Sequence, residues 1–203
     1  MRIDIVETKV YKFDELSDEA KQTALDGLRE NCHDYEWWDY IFEDAKEIGK
    51  LVGIDIDNIY FSGFSSKGDG ACFEGNYGYK TGSVKAVLQY APQDEELHRI
   101  TEELLALQKK CLYQIRASVK QSGHYNHRFC TDFSVDFESH ATGIDYYNKG
   151  VEEAIIEVLR DYMHWIYKQL ETQNDYMMSD EAIKETIEAN KYEFIVDGEL
   201  YYT

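Results

Sequence analysis

The sequence is poor in proline and in positive charge, and it contains no long apolar run. Only one proline occurs in 203 residues, and 21 lysines and arginines stand against 40 aspartates and glutamates. No stretch of about eighteen apolar residues is present, so the sequence predicts no membrane-spanning helix. A formal net charge of −19 repels nucleic acid and anionic membranes, so we expect neither among its direct partners.

The sequence also lacks the short motifs of common catalytic and nucleotide-binding sites. It has no GxxxxGK[ST], GxGxxG, GxSxG or HExxH pattern. The glycines of the segment 61–80 precede a predicted strand, whereas a phosphate loop requires a helix there. Gly68 and Gly70 are therefore expected to take positive φ in a turn around Asp69. We predict a protein that is not an enzyme and binds no cofactor.

The four cysteines are scattered, and no CxxC pair is present. Scattered thiols are typical of a reducing compartment, and the first residues lack the apolar block of a signal peptide. The sequence therefore predicts a cytoplasmic protein. The cysteines are Cys32, Cys72, Cys111 and Cys130.

The apolar residues recur with periods that predict alternating groups of helices and strands. Helical spacing predicts helices at about 15–31, 34–52, 94–111, 150–171 and 179–190, with Ser17 as an N-cap. Period-two alternation predicts strands at about 2–13, 59–64, 71–79, 84–90, 113–120 and 128–137. A C-terminal hairpin is predicted around Asp197-Gly198.

Runs of strands separated from runs of helices are typical of the α+β class. We expect a mainly antiparallel sheet, built from a meander and hairpins, with helices packed on one face. No linker, low-complexity tract or internal repeat interrupts the sequence. The prediction is therefore a single α+β domain over residues 1–203.

The acidic residues of the two first predicted helices form rows. Glu36, Asp39, Glu43 and Glu47 are spaced i, i+3, i+7 and i+11, which places them along one helix face. Like charges at these spacings destabilise a helix by a few tenths of a kcal/mol per pair, so folding does not require the row. We predict a partner-binding surface that imitates the phosphates of a nucleic acid, and a solvated face without a partner is the alternative.

The two ends of the chain hold most of its negative charge. Residues 1–57 carry 16 acids against 7 bases, residues 58–149 carry 11 against 10, and residues 150–203 carry 13 against 4. Such a field attracts proteins with basic surfaces.

A second acidic row, similar to the first, lies along the first predicted helix. Its residues are Glu19, Asp26 and Glu30.

The segment SGHYNHRFC offers the ligand types that transition metals prefer. His124, His127 and Cys130 lie three residues apart, with Asp132 nearby. The spacing also fits the polar turn of a predicted hairpin. A metal-dependent hydrolase that uses His124 and His127 therefore stays an alternative, although we predict no metal.

Three segments of the chain, KVYKFDELSDEAKQTA, FSGFSSKGDGACFEG and YEFIVDGELYY, resemble a family found in bacteriophages, prophages and other mobile elements. The resemblance covers nearly the whole chain. Some members carry the label of an antitoxin from a toxin–antitoxin system. The resemblance implies a small cytoplasmic protein made during infection or carried by a mobile element, and it implies no catalytic residues.

We therefore expect an inhibitor of a host defence or nucleic-acid-handling complex. It would bind a host protein with a basic nucleic-acid-binding surface through its acidic helices. The first alternative is an antitoxin-like protein that neutralises a basic toxin, and the second is the metal-dependent hydrolase. The sequence makes no prediction of the oligomeric state.

Overall fold

The computed structural model describes residues 1, 7–30, 36–137 and 149–201. Within these ranges the chain forms six α-helices, one four-stranded sheet and one two-stranded sheet, and all paired strands are antiparallel. The predicted α+β class is therefore confirmed. None of the helices in the described ranges is long and apolar enough to cross a membrane.

The chain divides into two compact units. The terminal unit comprises Met1–Trp37 and Thr172–Thr203, and the central unit comprises Trp38–Glu171. The single domain over residues 1–203 stays a prediction.

The terminal unit pairs two helices with two short strands: β1 (Tyr11–Lys12), α1 (Asp18–Glu30), α6 (Asp180–Asn190) and β6 (Glu193–Phe194). The side chain of Ser17 caps α1 by accepting a hydrogen bond from the amide of Ala20 at 3.3 Å, as predicted. The buried core residues of this unit are Leu16, Ala20, Ala24, Leu25, Ile183, Ile187 and Phe194.

The central unit is built on a four-stranded antiparallel sheet in the order β2-β3-β4-β5. Its strands are β2 (Ile54–Ser62), β3 (Gly70–Gly78), β4 (Ile115–Gln121) and β5 (Thr131–Phe137). A register shift in β2 lies opposite Gly75, where a side chain would overlap the carbonyl group of Asp55. The backbone of β2 therefore approaches Gly75 too closely to admit a side chain.

The central unit also contains α2 (Asp39–Val52), α3 (Ser83–Tyr90), α4 (Glu95–Lys110) and residues 149–171 of α5 (Lys149–Met177). Tyr162 of α5 meets Phe73 of β3 edge to face at 6.2 Å between ring centroids. The amide nitrogen of Gln108 in α4 donates to Tyr77 Oη at 3.2 Å. Since Phe73 and Tyr77 lie on one side of β3, helices cover that side of the sheet.

The segment 84–90 is helical, so the prediction of a strand there was wrong. It forms α3, and Gly82 precedes it with φ +80°. Val87 is buried while Leu88 and Tyr90 are exposed, which one turn of helix explains and strict alternation does not. A segment of seven residues is too short to distinguish the helical period from the two-residue period of a strand. The third strand of the meander is β4, which the chain reaches only after α3 and α4.

Two further boundaries and the backbone of two glycines differ from the predictions. In the predicted strand 2–13, residues 2–6 lie outside the described ranges. Among the described residues of that segment only Tyr11–Lys12 pairs as a strand, and Phe13–Glu15 forms a turn of 3-10 helix instead. The second helix begins at Asp39, so the expected start near residue 34 was wrong. Gly68 and Gly70 do not take positive φ. A side chain at position 70 would instead lie 2.6 Å from the His127 ring, which explains this glycine by close packing.

Candidate functional site

Three of the predicted acidic residues lie together on the exposed side of α2. Asp39, Glu43 and Glu47 follow at intervals of four residues, and all three are exposed. The opposite side of the helix is buried, which directs the acids away from the core. The buried residues of α2 are Ile41, Ala45, Ile48, Gly49 and Val52. We call Asp39, Glu43 and Glu47 the α2 acidic row.

Glu36 does not belong to this row, so its predicted place on the helix was wrong. The helix begins at Asp39, and the preceding Trp38 packs edge to face on Phe61 of β2 at 5.3 Å between ring centroids. Glu36 is exposed and lies in the terminal unit. The structure therefore places three of the four expected carboxylates on one helix face.

Local pairing leaves much of the charge on the α2 acidic row uncompensated. Lys50 Nζ lies 2.6 Å from Glu47 Oε1, and this hydrogen bond raises the pKa of Lys50. Lys46 donates instead to the backbone oxygen of Asp57 at 3.1 Å. Within the described ranges, Asp39 and Glu43 form no ion pair. These two carboxylates are thus available to a cation from outside.

Two exposed tyrosines, Tyr40 and Tyr90, flank the row. Tyr40 precedes Glu43 by three residues and Asp44 by four, so it lies on the same side of α2. Tyr90 of α3 donates its hydroxyl hydrogen to Asp44 Oδ1 at 2.5 Å, which raises the pKa of Tyr90. Both tyrosines are exposed. The spacing of Tyr40 to the acids is visible in the sequence, whereas the contact between Tyr90 and Asp44 depends on the fold.

The row on α1 is neutralised to the same extent, with one of its three carboxylates in a described ion pair. Asp26 pairs with Arg29 and also accepts a hydrogen bond from Gln22 Nε2 at 3.0 Å. Arg29 in turn reaches Asp180 of α6 at 2.5 Å. Glu19 and Glu30 are exposed at the two ends of the helix. Each row therefore keeps two exposed carboxylates without a described ion pair, and the α2 row differs in the exposed tyrosines beside it.

His124, His127 and Cys130 do not assemble into a metal site. All three lie in the loop that joins β4 to β5, and His127 Nδ1 faces the amide of Phe129 at 3.3 Å. Burial, and then the charge of Arg128, lower the pKa of His127. In the part of the chain that the structure describes, no three His, Cys, Asp or Glu residues are grouped closely enough to hold a metal ion. The hydrolase alternative stays a prediction without an assembled site.

A cavity of about 860 Å³ lies in the terminal unit between α1 and α6. Leu25 and Ile187 are its buried apolar contacts, and both lysines and carboxylates surround it. Since both signs of charge line the cavity, its electrostatics select neither an anion nor a cation. The charged residues of the lining are Lys12, Asp14, Asp18, Lys21, Asp180, Lys184, Glu188, Lys191 and Glu193.

Residues 37–180 match a protein family that is described as a domain of unknown function (DUF8835). The matched range contains the whole of α2 and excludes α1. No curated protein and no solved structure matches the chain.

Proposed function

We propose that this chain, which belongs to the family described as a domain of unknown function (DUF8835), acts by binding another protein rather than by catalysis. The α2 acidic row would dock in a basic groove that normally binds nucleic acid. The chain would thereby inhibit a host defence or nucleic-acid-handling complex in the bacterial cytoplasm. The resemblance to mobile-element proteins supports this setting.

The exposed, incompletely paired carboxylates of α2 carry the proposal. Successive members of the row are four residues apart, which is about 6 Å along the helix axis. A lysine or arginine groove that binds phosphates would be attracted to such a line of charges and blocked by it. Folding does not explain the row, because like charges at this spacing oppose helix formation.

The neighbouring tyrosines support a protein partner. Tyrosine is enriched at protein interfaces, since it buries a large area at a small cost in side-chain entropy. Tyr40 and Tyr90 are exposed beside the row. An interface centred on α2 would thus combine charge attraction with apolar burial.

The test is an affinity pull-down from phage-infected bacterial lysate with three forms of the chain. The first is unchanged, and the second carries Asp39→Asn, Glu43→Gln and Glu47→Gln. The matched control carries Glu102→Gln, Glu181→Gln and Glu188→Gln, which remove the same charge from exposed positions elsewhere. Circular dichroism confirms that each variant folds, and mass spectrometry identifies what is retained.

We expect a nucleic-acid-binding protein that is retained by the unchanged chain and the control and is released by salt. Its dissociation constant for the α2 variant should rise about tenfold, because each exposed pair contributes about 0.2–1 kcal/mol. Equal retention by all three forms would contradict the proposal. A single small basic protein that survives high salt would favour the antitoxin alternative, which rescue by co-expression would then establish.

A further inference from the structure

Two segments of this acidic chain contain no acidic residue at all. They run from 75 to 93 and from 104 to 131, between Glu74 and Asp94 and between Glu103 and Asp132. Their basic residues are Lys80, Lys85, Lys109, Lys110, Arg116, Lys120 and Arg128. The 40 acids of the chain lie entirely outside these segments.

The fold brings the two segments together at one end of the central sheet. Gly78 in β3 pairs with Arg116 in β4, and the rings of Tyr79 and Tyr113 lie beyond this pair at 4.4 Å between centroids. Lys80 follows Tyr79 directly, and two more lysines end α4. We call the resulting surface the basic aromatic patch. It consists of Tyr79, Lys80, Lys109, Lys110, Leu112 and Tyr113.

The large apolar side chains of the patch are unusually exposed. Leu112 is 57 % exposed, Tyr113 43 % and Tyr79 38 %. All three lysines are exposed as well. Exposed lysines alone are ordinary, but an aliphatic residue and two aromatic rings beside them are typical of a binding surface.

The backbone that presents these side chains is strained. Leu112 and Tyr113 both take positive φ, at 52° and 64°, directly after α4. The turn is held by a 2.7 Å hydrogen bond from the Tyr113 amide to the Gln108 oxygen. This conformation is disfavoured for a residue with a side chain, whereas glycine adopts it readily. Strain of this kind at an exposed site points to a role other than stability.

We propose that the basic aromatic patch binds an acidic segment of a partner protein. Carboxylates of that segment would pair with Lys80, Lys109 and Lys110. An aliphatic or aromatic side chain of the same segment would pack on Leu112 and Tyr113. The patch is a second interaction surface, distinct from the α2 acidic row and opposite to it in charge.

The chemistry of the patch favours a protein segment over a polynucleotide or a membrane. At physiological salt the Debye length is about 8 Å, so the patch lysines outweigh the acids around them only across a short span. A long polyanion would extend onto the surface of a chain that carries −19. Leu112 offers apolar area rather than a stacking face, and the rings of Tyr79 and Tyr113 already pack on one another.

The test uses a displayed library of random 12-residue peptides, selected on the full chain. A variant that carries Lys80→Gln, Lys109→Gln and Lys110→Gln serves as the counter-target, which identifies the peptides that depend on the patch lysines. A matched control carries Lys21→Gln, Lys184→Gln and Lys191→Gln, an equal loss of charge in the terminal unit. We expect patch-dependent peptides rich in Asp and Glu with at least one Leu or aromatic residue. They should bind about tenfold more weakly to the counter-target and unchanged to the control.

A second variant tests the apolar half of the patch without changing its charge. The double variant Leu112→Ser and Tyr113→Ser should also bind these peptides more weakly than the unchanged chain does. Circular dichroism checks that the variant folds. The proposal is overturned if no peptide depends on the three patch lysines, or if the dependent peptides are neutral or basic. It is also overturned if labelled dT20 or phosphatidylglycerol vesicles bind the patch while acidic peptides do not. These results leave the α2 proposal intact, since its variants keep the patch.

Discussion

Two glycines of the terminal unit show how backbone geometry, rather than residue type, decides what a substitution does. Gly198 takes φ +93° in the Asp197-Gly198 turn, and an added side chain would overlap the carbonyl oxygen of Ala20. Gly27 lies in the exposed part of α1, where an added methyl group meets nothing within 4 Å. The same change therefore has opposite expected effects at the two positions.

We expect Gly198→Ala to lower the free energy of unfolding by about 2 kcal/mol or more, because it combines a disfavoured φ with a backbone clash. We expect Gly27→Ala to raise it by about 0.5–1 kcal/mol, because alanine loses less conformational entropy in a helix. Urea unfolding followed by circular dichroism measures both. Equal effects at the two sites would contradict the geometry described for Gly198.

The carboxylates of the chain differ strongly in what they contact. Glu74 accepts hydrogen bonds from Tyr60 Oη at 2.9 Å and from the Gln121 amide at 3.2 Å, and these bonds lower its pKa. Asp39 and Glu43 have no comparable partner in the described ranges. An abundance of acids therefore does not define a site, and only the contacts separate the structural carboxylates from the available ones.

At the scale of elements, Tyr162 links α5 to α2 and to the sheet. The side chain is fully buried, and its hydroxyl donates to the Ala45 oxygen of α2 at 2.6 Å. Burial raises the pKa of Tyr162 well above its ordinary value, so the hydroxyl stays protonated and remains a donor. The ring meanwhile packs on Phe73.

We expect Tyr162→Phe to lower the free energy of unfolding by about 1 kcal/mol, since it removes the hydrogen bond and keeps the ring. Tyr125→Phe is the control, because Tyr125 is exposed in the β4–β5 loop. Urea unfolding compares the two variants with the unchanged chain. An equal or smaller loss for Tyr162→Phe would show that the buried hydroxyl contributes little to joining the two helices.

The helices with both a cap and a long apolar stripe were predicted well. Asp94 caps α4 through a 2.9 Å hydrogen bond from the Leu97 amide, and Ser179 caps α6 through one of 3.2 Å from the Ala182 amide. Both elements were expected at nearly their observed bounds. The short α3 was missed, because its length fits either period.

At the scale of the molecule, a net charge of −19 opposes the compact state by self-repulsion. Added NaCl screens this repulsion, because the Debye length falls from about 30 Å at 0.01 M to about 10 Å at 0.1 M. We expect the thermal midpoint to rise by about 2–4 °C over this range, which corresponds to about 1 kcal/mol. Differential scanning calorimetry measures the shift.

The variant with Asp39→Asn, Glu43→Gln and Glu47→Gln should show a smaller rise with salt than the unchanged chain. The variant with Lys80→Gln, Lys109→Gln and Lys110→Gln should show a larger one, because it is more negative. An identical salt response in all three would mean that local pairing, rather than the overall field, governs the electrostatic part of the stability.

The sequence by itself determined the α+β class, most of the long helices, the Asp197-Gly198 turn and the exposed carboxylates of α2. These depend on short-range properties: periodicity, capping and turn chemistry are encoded within a few residues. Its prediction of a functional acidic surface stays a prediction. It could not place Glu36 off the helix, because nothing in the local pattern marks the start at Asp39.

Only the tertiary structure decided which charges are paired and which distant segments meet. The pairing of β3 with β4 across α3 and α4 joins residues about forty positions apart, and so creates the basic aromatic patch. The same folding puts Tyr90 beside Asp44. Such contacts depend on long-range burial, which is a property of the whole packed chain and is not encoded in any single window of sequence.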